Sequence, residues 1–259
     1  MFRALSTAAT GMEAQQTRID TTAHNMANVN TTGFKRARAE FQDLLYDTQR
    51  NPGGQNGQGA TLPTGIQIGQ GTRLVGTMQM HQQGTLAQTG NPMDVAIEGR
   101  GFFQVTQPNG EQTFTRAGNL KVDDQGQLVT VDGLPLEPLI TIPPDAASVT
   151  ITADGVVSVT VAGDTQSQEV GQLLLATFPN PAGLEAVGRS QFRPTTASGL
   201  ALVGPPGQDG TGTLSQGFLE GSNVEVVNEM IDLISSQRAY EVNQKVIEAA
   251  DEMMQRTTR

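Results

Sequence analysis

The feature that most constrains this chain is a seven-residue apolar repeat carried at both of its ends. From Leu5, the residues Met12, Ile19 and Met26 follow at intervals of seven, with Ala8, Ala9 and Ala23 flanking them. That interval is the seam period of a coiled coil. No proline occurs before Pro52, and the turn-prone run Asn28, Asn30, Thr31, Thr32, Gly33 closes the segment. The pattern predicts a helix over about 3–27. At the far end Val226, Leu233, Tyr240, Ile247 and Met254 again recur every seven, and Met230, Ile231, Ile234, Val242 and Val246 widen the stripe. Ser222 and Glu225 read as an S-x-x-E capping box ahead of it. A helix over about 223–256 would run roughly 50 Å at 1.5 Å per residue, long for a small globular domain.

Two ordinary amphipathic helices packed on a central domain would also carry such stripes. Magnitudes weigh against that alternative. Four large apolar side chains at the N-terminal end contribute roughly 1.5–3 kcal/mol each when buried. Ordering about 25 residues costs on the order of 1–2 kcal/mol apiece. The N-terminal helix is therefore predicted to be marginal or disordered alone, and to draw its missing burial from elsewhere.

Between the arms, strand signals dominate from about 93 to 219. Val149 and Ile151, then Asp154-Gly155, then Val157, Val159 and Val161 give alternating runs around a hairpin dipeptide. Leu120, Val122, Gly126, Leu128 and Val131 suggest a second hairpin with a longer turn. Interruptions at Pro135, Pro138, Pro143, Pro144, Pro179 and Pro181 point to an irregular antiparallel β domain. The fold class is thus α+β: terminal heptad helices pairing in a coiled-coil-like domain, around a central irregular antiparallel β domain. The expected division is 1–33 for the N-terminal arm, 34–80 for a connecting segment, 81–220 for the β domain and 221–259 for the C-terminal arm. Within the connection, 51–65 is rich in Gly, Gln, Asn and Pro and has no apolar period. It reads as a flexible linker between arm and β domain, or as an ordered loop clasped by neighbouring subunits.

Composition removes most chemistry. The 259 residues contain no cysteine, which excludes disulfides, thiolate metal sites and thiol nucleophiles. A net charge of -10 opposes nonspecific attraction to nucleic acid or anionic lipid. The one basic cluster, Lys35, Arg36 and Arg38, reads as a solvated face or a contact with an acidic neighbour before it reads as a phosphate site. No apolar run is long enough to span a bilayer, and no cleavable secretory signal opens the chain; a soluble protein is expected. His24 and His81, the two histidines, lack a metal-ligand partner at helical or hairpin spacing and suit hydrogen bonding at a surface or between subunits. No dinucleotide, P-loop or nucleophile-elbow motif occurs. Asp123-Asp124 lacks the ligand pattern of a calcium loop and reads as a turn. Carboxylates such as Asp94 and Glu98 are not paired across a cleft by anything in the sequence. No catalytic, cofactor-binding or metal residue is assigned, and no cofactor is expected.

Four ordered motifs resemble the flagellar rod and hook axial protein family. They are Ala27-Asn28-Val29-Asn30-Thr31-Thr32-Gly33-Phe34-Lys35; Asn91-Pro92-Met93-Asp94-Val95-Ala96-Ile97-Glu98-Gly99-Arg100-Gly101-Phe102-Phe103-Gln104-Val105; Arg116-Ala117-Gly118-Asn119-Leu120 with Gly126, Leu128 and Val129; and Gln216-Gly217-Phe218-Leu219-Glu220-Gly221-Ser222-Asn223-Val224, followed by Glu229-Met230 and Gln237-Arg238-Ala239-Tyr240-Glu241. The chain looks longer than the small proximal rod subunits and too short for the hook protein. The run 34–46 with the Gly-rich stretch after it is most similar to the subunit of the distal rod, and another rod subunit of similar length is the alternative. More remotely, a trimeric phage-tail or adhesin fibre would share arms and a β body, and a carbohydrate-active enzyme would need a carboxylate cleft. The resemblance implies a helical homopolymer with the arms in an inner tube around an export channel. It also implies partners in the proximal rod, the hook, the outer rings and the export apparatus, a periplasm-spanning location, and export without a cleaved signal. Neither nucleic-acid binding nor membrane insertion is implied. The assembly seams would be Leu5, Met12, Ile19, Met26, Val226, Leu233, Tyr240, Ile247 and Met254.

Overall fold

A computed structural model describes residues 2–51, 53, 63–161 and 166–257. The chain divides into two compact units, 1–26 with 37–78 and 225–259, and 27–36 with 79–224.

In the first unit, helix α1 runs Phe2–Ala27 and α2 runs Val226–Thr257. Their side chains meet at Arg18 with Asp232 and at Asn25 with Glu229. A Cβ on Gly11 would lie 3.0 Å from Asn243. Contacts that descend along one helix ascend along the other, so the two are antiparallel. Four strands complete the unit: β1 (Ala37–Asp43) pairs with β4 (Thr72–Gln79), and β2 (Tyr46–Arg50) pairs antiparallel with β3 (Ile66–Gly69). These strands correct the expectation of a plain connecting segment over 34–80. They escaped periodicity because both faces stay largely exposed, so the inside/outside alternation that marks a half-buried strand is weak. The stretch 51–65 joins two paired strands and is no linker between arm and β domain. Residues 52 and 54–62 of it lie outside the described residues.

The α2 start also differs from expectation. Ser222 accepts a hydrogen bond from the Val224 N–H, two residues on, and the helix begins at Val226. The local turn has taken the hydroxyl that a capping box would have used.

The second unit is an irregular antiparallel β body. Its largest sheet runs β16 (Glu185–Gly188), β17 (Gln191–Arg193), β8 (Gln112–Thr115), β7 (Phe102–Thr106), β15 (Leu175–Thr177) and β18 (Leu202–Gly204), with β11 (Leu136–Glu137) also paired to β7. A three-stranded sheet of β12 (Ala146–Ile151), β13 (Val156–Val161) and β14 (Ser167–Gln172) holds the hairpin predicted at Asp154-Gly155, where Gly155 takes a φ of 81°. The second predicted hairpin is β9 (Lys121–Val122) with β10 (Leu128–Val129). Asp123 turns it by accepting N–H bonds from Gln125 and Gln127. Two further pairs, β19 (Thr213–Gln216) with β6 (Val95–Glu98) and β20 (Phe218–Glu220) with β5 (Leu86–Gln88), close the body.

Alternation sends Phe102 and Phe103 of β7 to opposite faces. Phe103 joins Val95, Ile97, Leu128, Leu136, Ile140, Val157, Val159, Leu173 and Leu175 in the main core. Phe102 joins Phe114, Phe178, Leu184 and Phe192 in a second cluster, whose rings meet edge to face. Few aromatics suffice because they are concentrated here.

Candidate functional site

Within the β body, the family-like motifs meet at one buried group of charges. Lys35 Nζ donates to Glu220 Oε1 at 2.6 Å, and Arg116 Nε donates to Glu220 Oε2 at 2.8 Å. Side-chain exposure is 0% for Lys35 and Glu220 and 4% for Arg116. Charges so completely removed from water persist only when every proton and lone pair is met. The Gly84 N–H donates to Glu220 Oε1, Lys35 also donates to the Gln82 carbonyl, and Arg116 donates to the carbonyls of Gly99 and Gly101. Gly33 brings its N–H to the Glu220 carbonyl at 2.9 Å. It holds φ +69°, and a Cβ there would stand 2.7 Å from the Ala117 nitrogen. Only glycine fits that approach.

Two cations share one carboxylate, and the charge imbalance acts on each group. Burial works against the Glu220 carboxylate, but Arg116, Lys35 and the hydrogen bonds outweigh it and hold its pKa below the usual value. Lys35 is pulled down by burial, with Arg116 adding to the fall and Glu220 opposing it. Both values fall because the pair is not isolated: the two cations keep the carboxylate ionised, while burial and the charge of Arg116 act against the ammonium. His81 sits beside this group, edge-on to Phe102 and Phe192. Burial first, then the charges of Lys35 and Arg116, lower its pKa to about 4. It is thus a neutral, half-buried packing group and not the surface hydrogen-bonding residue expected, whereas His24 is exposed.

The basic cluster divides accordingly. Lys35 has its acidic neighbour inside the chain, and Arg38 makes an exposed pair with Glu40. Asn223 receives the Arg36 N–H and donates to the carbonyls of Met80 and Gln82. Asp94 is bound by Thr89 and Asn91, while Asn28 and Thr31 close the turn before Gly33 and Phe34. Thus Gly33, Gly99, Gly101, Phe102 and Glu220 converge on this buried group of charges, and Phe103 lies in the core on the opposite face of β7. Gln237, Arg238, Ala239 and Tyr240 lie apart on α2. Lys35 and Arg116 were not singled out as a pair in sequence; a signal was present in two cations and one glutamate embedded in glycine-rich motifs. Among the described residues no group of three or more His, Cys, Asp or Glu could hold a metal ion, and no helix is long and apolar enough to cross a membrane.

The helical unit carries the other candidate surface. Along α2 the buried positions are Glu229, Ser236 and Ala250, with Asn243 half-buried between them: a seven-residue series of small and polar residues. On α1 the buried positions are Ala8, Ala14, Thr22 and Asn25. Six large apolar residues of α2 face outward, Val227, Met230, Ile231, Ile234, Val242 and Val246, each between 43% and 65% exposed. Of the expected seam residues, Leu5, Met12, Ile19, Met26, Leu233, Ile247 and Met254 are half-buried, and Val226 and Tyr240 are exposed.

Three family descriptions match successive parts of the chain: "Flagella basal body rod protein" over residues 5–35, "Flagellar hook protein FlgE/F/G D1 domain" over 96–159, and "Flagellar basal body rod FlgEFG protein C-terminal" over 215–259. Lys35, Arg116 and Glu220 come one from each. The chain is 48% identical to the flagellar basal-body rod protein FlgG of Caulobacter vibrioides, over 99% of this chain and 98% of that one. It is 48% identical to the protein of that name from Agrobacterium fabrum, over 97% of both chains. Against that of Bacillus subtilis it is 38% identical, over 98% of this chain and 97% of the other. With this identity sustained along almost its whole length, the chain belongs to the flagellar basal-body rod protein family.

Proposed function

We propose that this chain is the structural subunit of the distal flagellar rod, polymerising into a rigid hollow shaft that transmits torque to the hook and encloses the export channel. Its family is structural, and the chain is not an enzyme. The observation that carries the mode of assembly is the outward apolar stripe of α2, a set of exposed large apolar side chains of the kind that marks an interaction surface. Small exposed residues of α1, Ala9 and Ala23 among them, offer shallow ground for such side chains on another copy. A surface and its complement on one subunit make a heterologous contact, which extends into a helix when its rotation does not close. Leu5, Met12, Ile19, Met26, Val226, Leu233, Tyr240, Ile247 and Met254 complete the seams in this reading.

The β2–β3 ribbon supports the same reading. Leu45, Tyr46, Ile66 and Ile68 are exposed on a two-stranded hairpin, a structure only marginally stable in water by itself. Contact between this ribbon and neighbouring subunits would stiffen a shaft, and we extend that role to the 51–65 stretch that follows β2 in sequence. The proximal rod, hook, outer rings and export apparatus are the partners along its path, and the subunit leaves the cytoplasm without a cleaved signal. Amide exchange on dilute monomer tests the coupling of arm folding to assembly: 3–27 and 226–254 should show little protection until polymerisation. Strong protection of both arms in the monomer would overturn it. Basal bodies of a deletion strain should show rods that stop short of the hook.

A further inference from the structure

The helix pair presents a physical puzzle. Val227, Ile231 and Ile234 lie within roughly 40° of the side of α2 opposite Glu229, at about 100° per residue. Apolar burial alone would roll that side onto α1 and return Glu229 to water. Instead Glu229 is 1% exposed, and so is Asn25.

We propose that Asn25 and Glu229 are specificity determinants of assembly, holding α1 against the small, polar stripe of α2 so that the large apolar stripe stays outward for other copies of this chain. The inference rests on the polymerising role above. Asn25 is fixed first: its Oδ1 accepts the Ala37 N–H at 2.9 Å and its Nδ2 donates to the Ala37 carbonyl at 2.8 Å. The second proton of that amide is directed to Glu229 Oε2 at 3.3 Å. One turn further along, Arg18 reaches Asp232 at 2.8 Å on the same side. Rolling α2 to bury Ile231 and Ile234 would break both contacts and leave a buried amide proton unmet, a penalty that apolar gain must first exceed. A single buried polar contact sets register and partner choice in paired helices in this way, lowering stability while excluding alternatives. The small residues along the inner stripe permit close approach without large apolar side chains, so those are left for the second copy.

The test is complementation of a deletion strain by the full chain with Asn25→Leu and Glu229→Leu together, beside Glu229→Gln, whose amide oxygen still accepts the Asn25 proton. The double variant should lose complete rods and swimming while its purified monomer gains amide protection in 226–254, because the apolar stripe is now taken up within the chain. Glu229→Gln should swim as wild type. Normal rods from the double variant would overturn the proposal, as would loss of rods without any gain in monomer protection. Unchanged cooperative unfolding of the β body in both variants separates these outcomes from a failure to fold. Failure of the wild-type chain to restore rods would instead refute the role on which the proposal rests.

Discussion

The two units handle burial in opposite ways. In the β body the large side chains are inside: Phe103, Phe114, Ile97, Leu128 and Leu175 are almost wholly buried, and even three charged groups are enclosed with their hydrogen bonds met. In the helical unit the inner stripe holds Glu229, Ser236 and Ala250, and isoleucine, valine and methionine stand in water. A self-sufficient unit spends its apolar surface on itself, and an incomplete one keeps it for a neighbour. The charges differ in the same sense. Glu220 is bound by two cations out of solvent, whereas Arg18 and Asp232 pair with side chains 43% and 33% exposed.

Four measurements would break or sharpen this contrast. The largest effect is expected from Glu220→Gln, which strands Lys35 and Arg116 as unpaired buried cations. Urea unfolding of the β body should show a loss of about 3–5 kcal/mol. A loss under about 1 kcal/mol would mean that the enclosed charges do not secure the body.

Acid should come next. The unfolded chain takes up a proton on His81 near pH 6.5, while the folded chain resists until about pH 4. Stability from this group is therefore complete above about pH 6.5 and falls as the pH drops toward 4. Glu220, whose folded pKa is lowered, contributes above its ordinary 4.5 and loses that contribution below it. The linked cost for His81 is on the order of 3 kcal/mol. Melting temperature against pH should show the decline, and His81→Phe should flatten it between about pH 4 and 6.5; an unchanged profile in that variant would remove His81 from the account.

A smaller effect is expected where the same kind of ion pair is half in water. Asp232→Asn should change stability by about 0–1 kcal/mol, reduced further by salt. A cost approaching that of Glu220→Gln would erase the distinction between the units. Smallest of all, Ile234→Ser on the outward stripe should leave monomer unfolding within about 0.5 kcal/mol. Rod assembly in cells should nevertheless fail. If the monomer is destabilised as much as a core variant, the stripe serves the chain's own fold.

Much of this was legible in sequence where the signal is local. A heptad repeat is set by side chains one or two turns apart, so α1 and α2 emerge from it to within a few residues. Asp154-Gly155 and the Asp123 turn dictate their hairpins through backbone geometry a few residues long. The four motifs identify the family because they recur in order along the chain. Tertiary structure alone decided the rest. Which stripe of α2 turns inward depends on Asn25, 204 residues away, and on two hydrogen bonds that fix Asn25 to Ala37. The seven-residue count is the same for the buried Glu229 series and for the Val226 series, so periodicity cannot choose between them. Lys35 and Glu220 are separated by 185 residues, and Arg116 and Glu220 by 104. Their meeting is a product of strand order, and a charged residue read singly looks like a solvated one until topology supplies its partner.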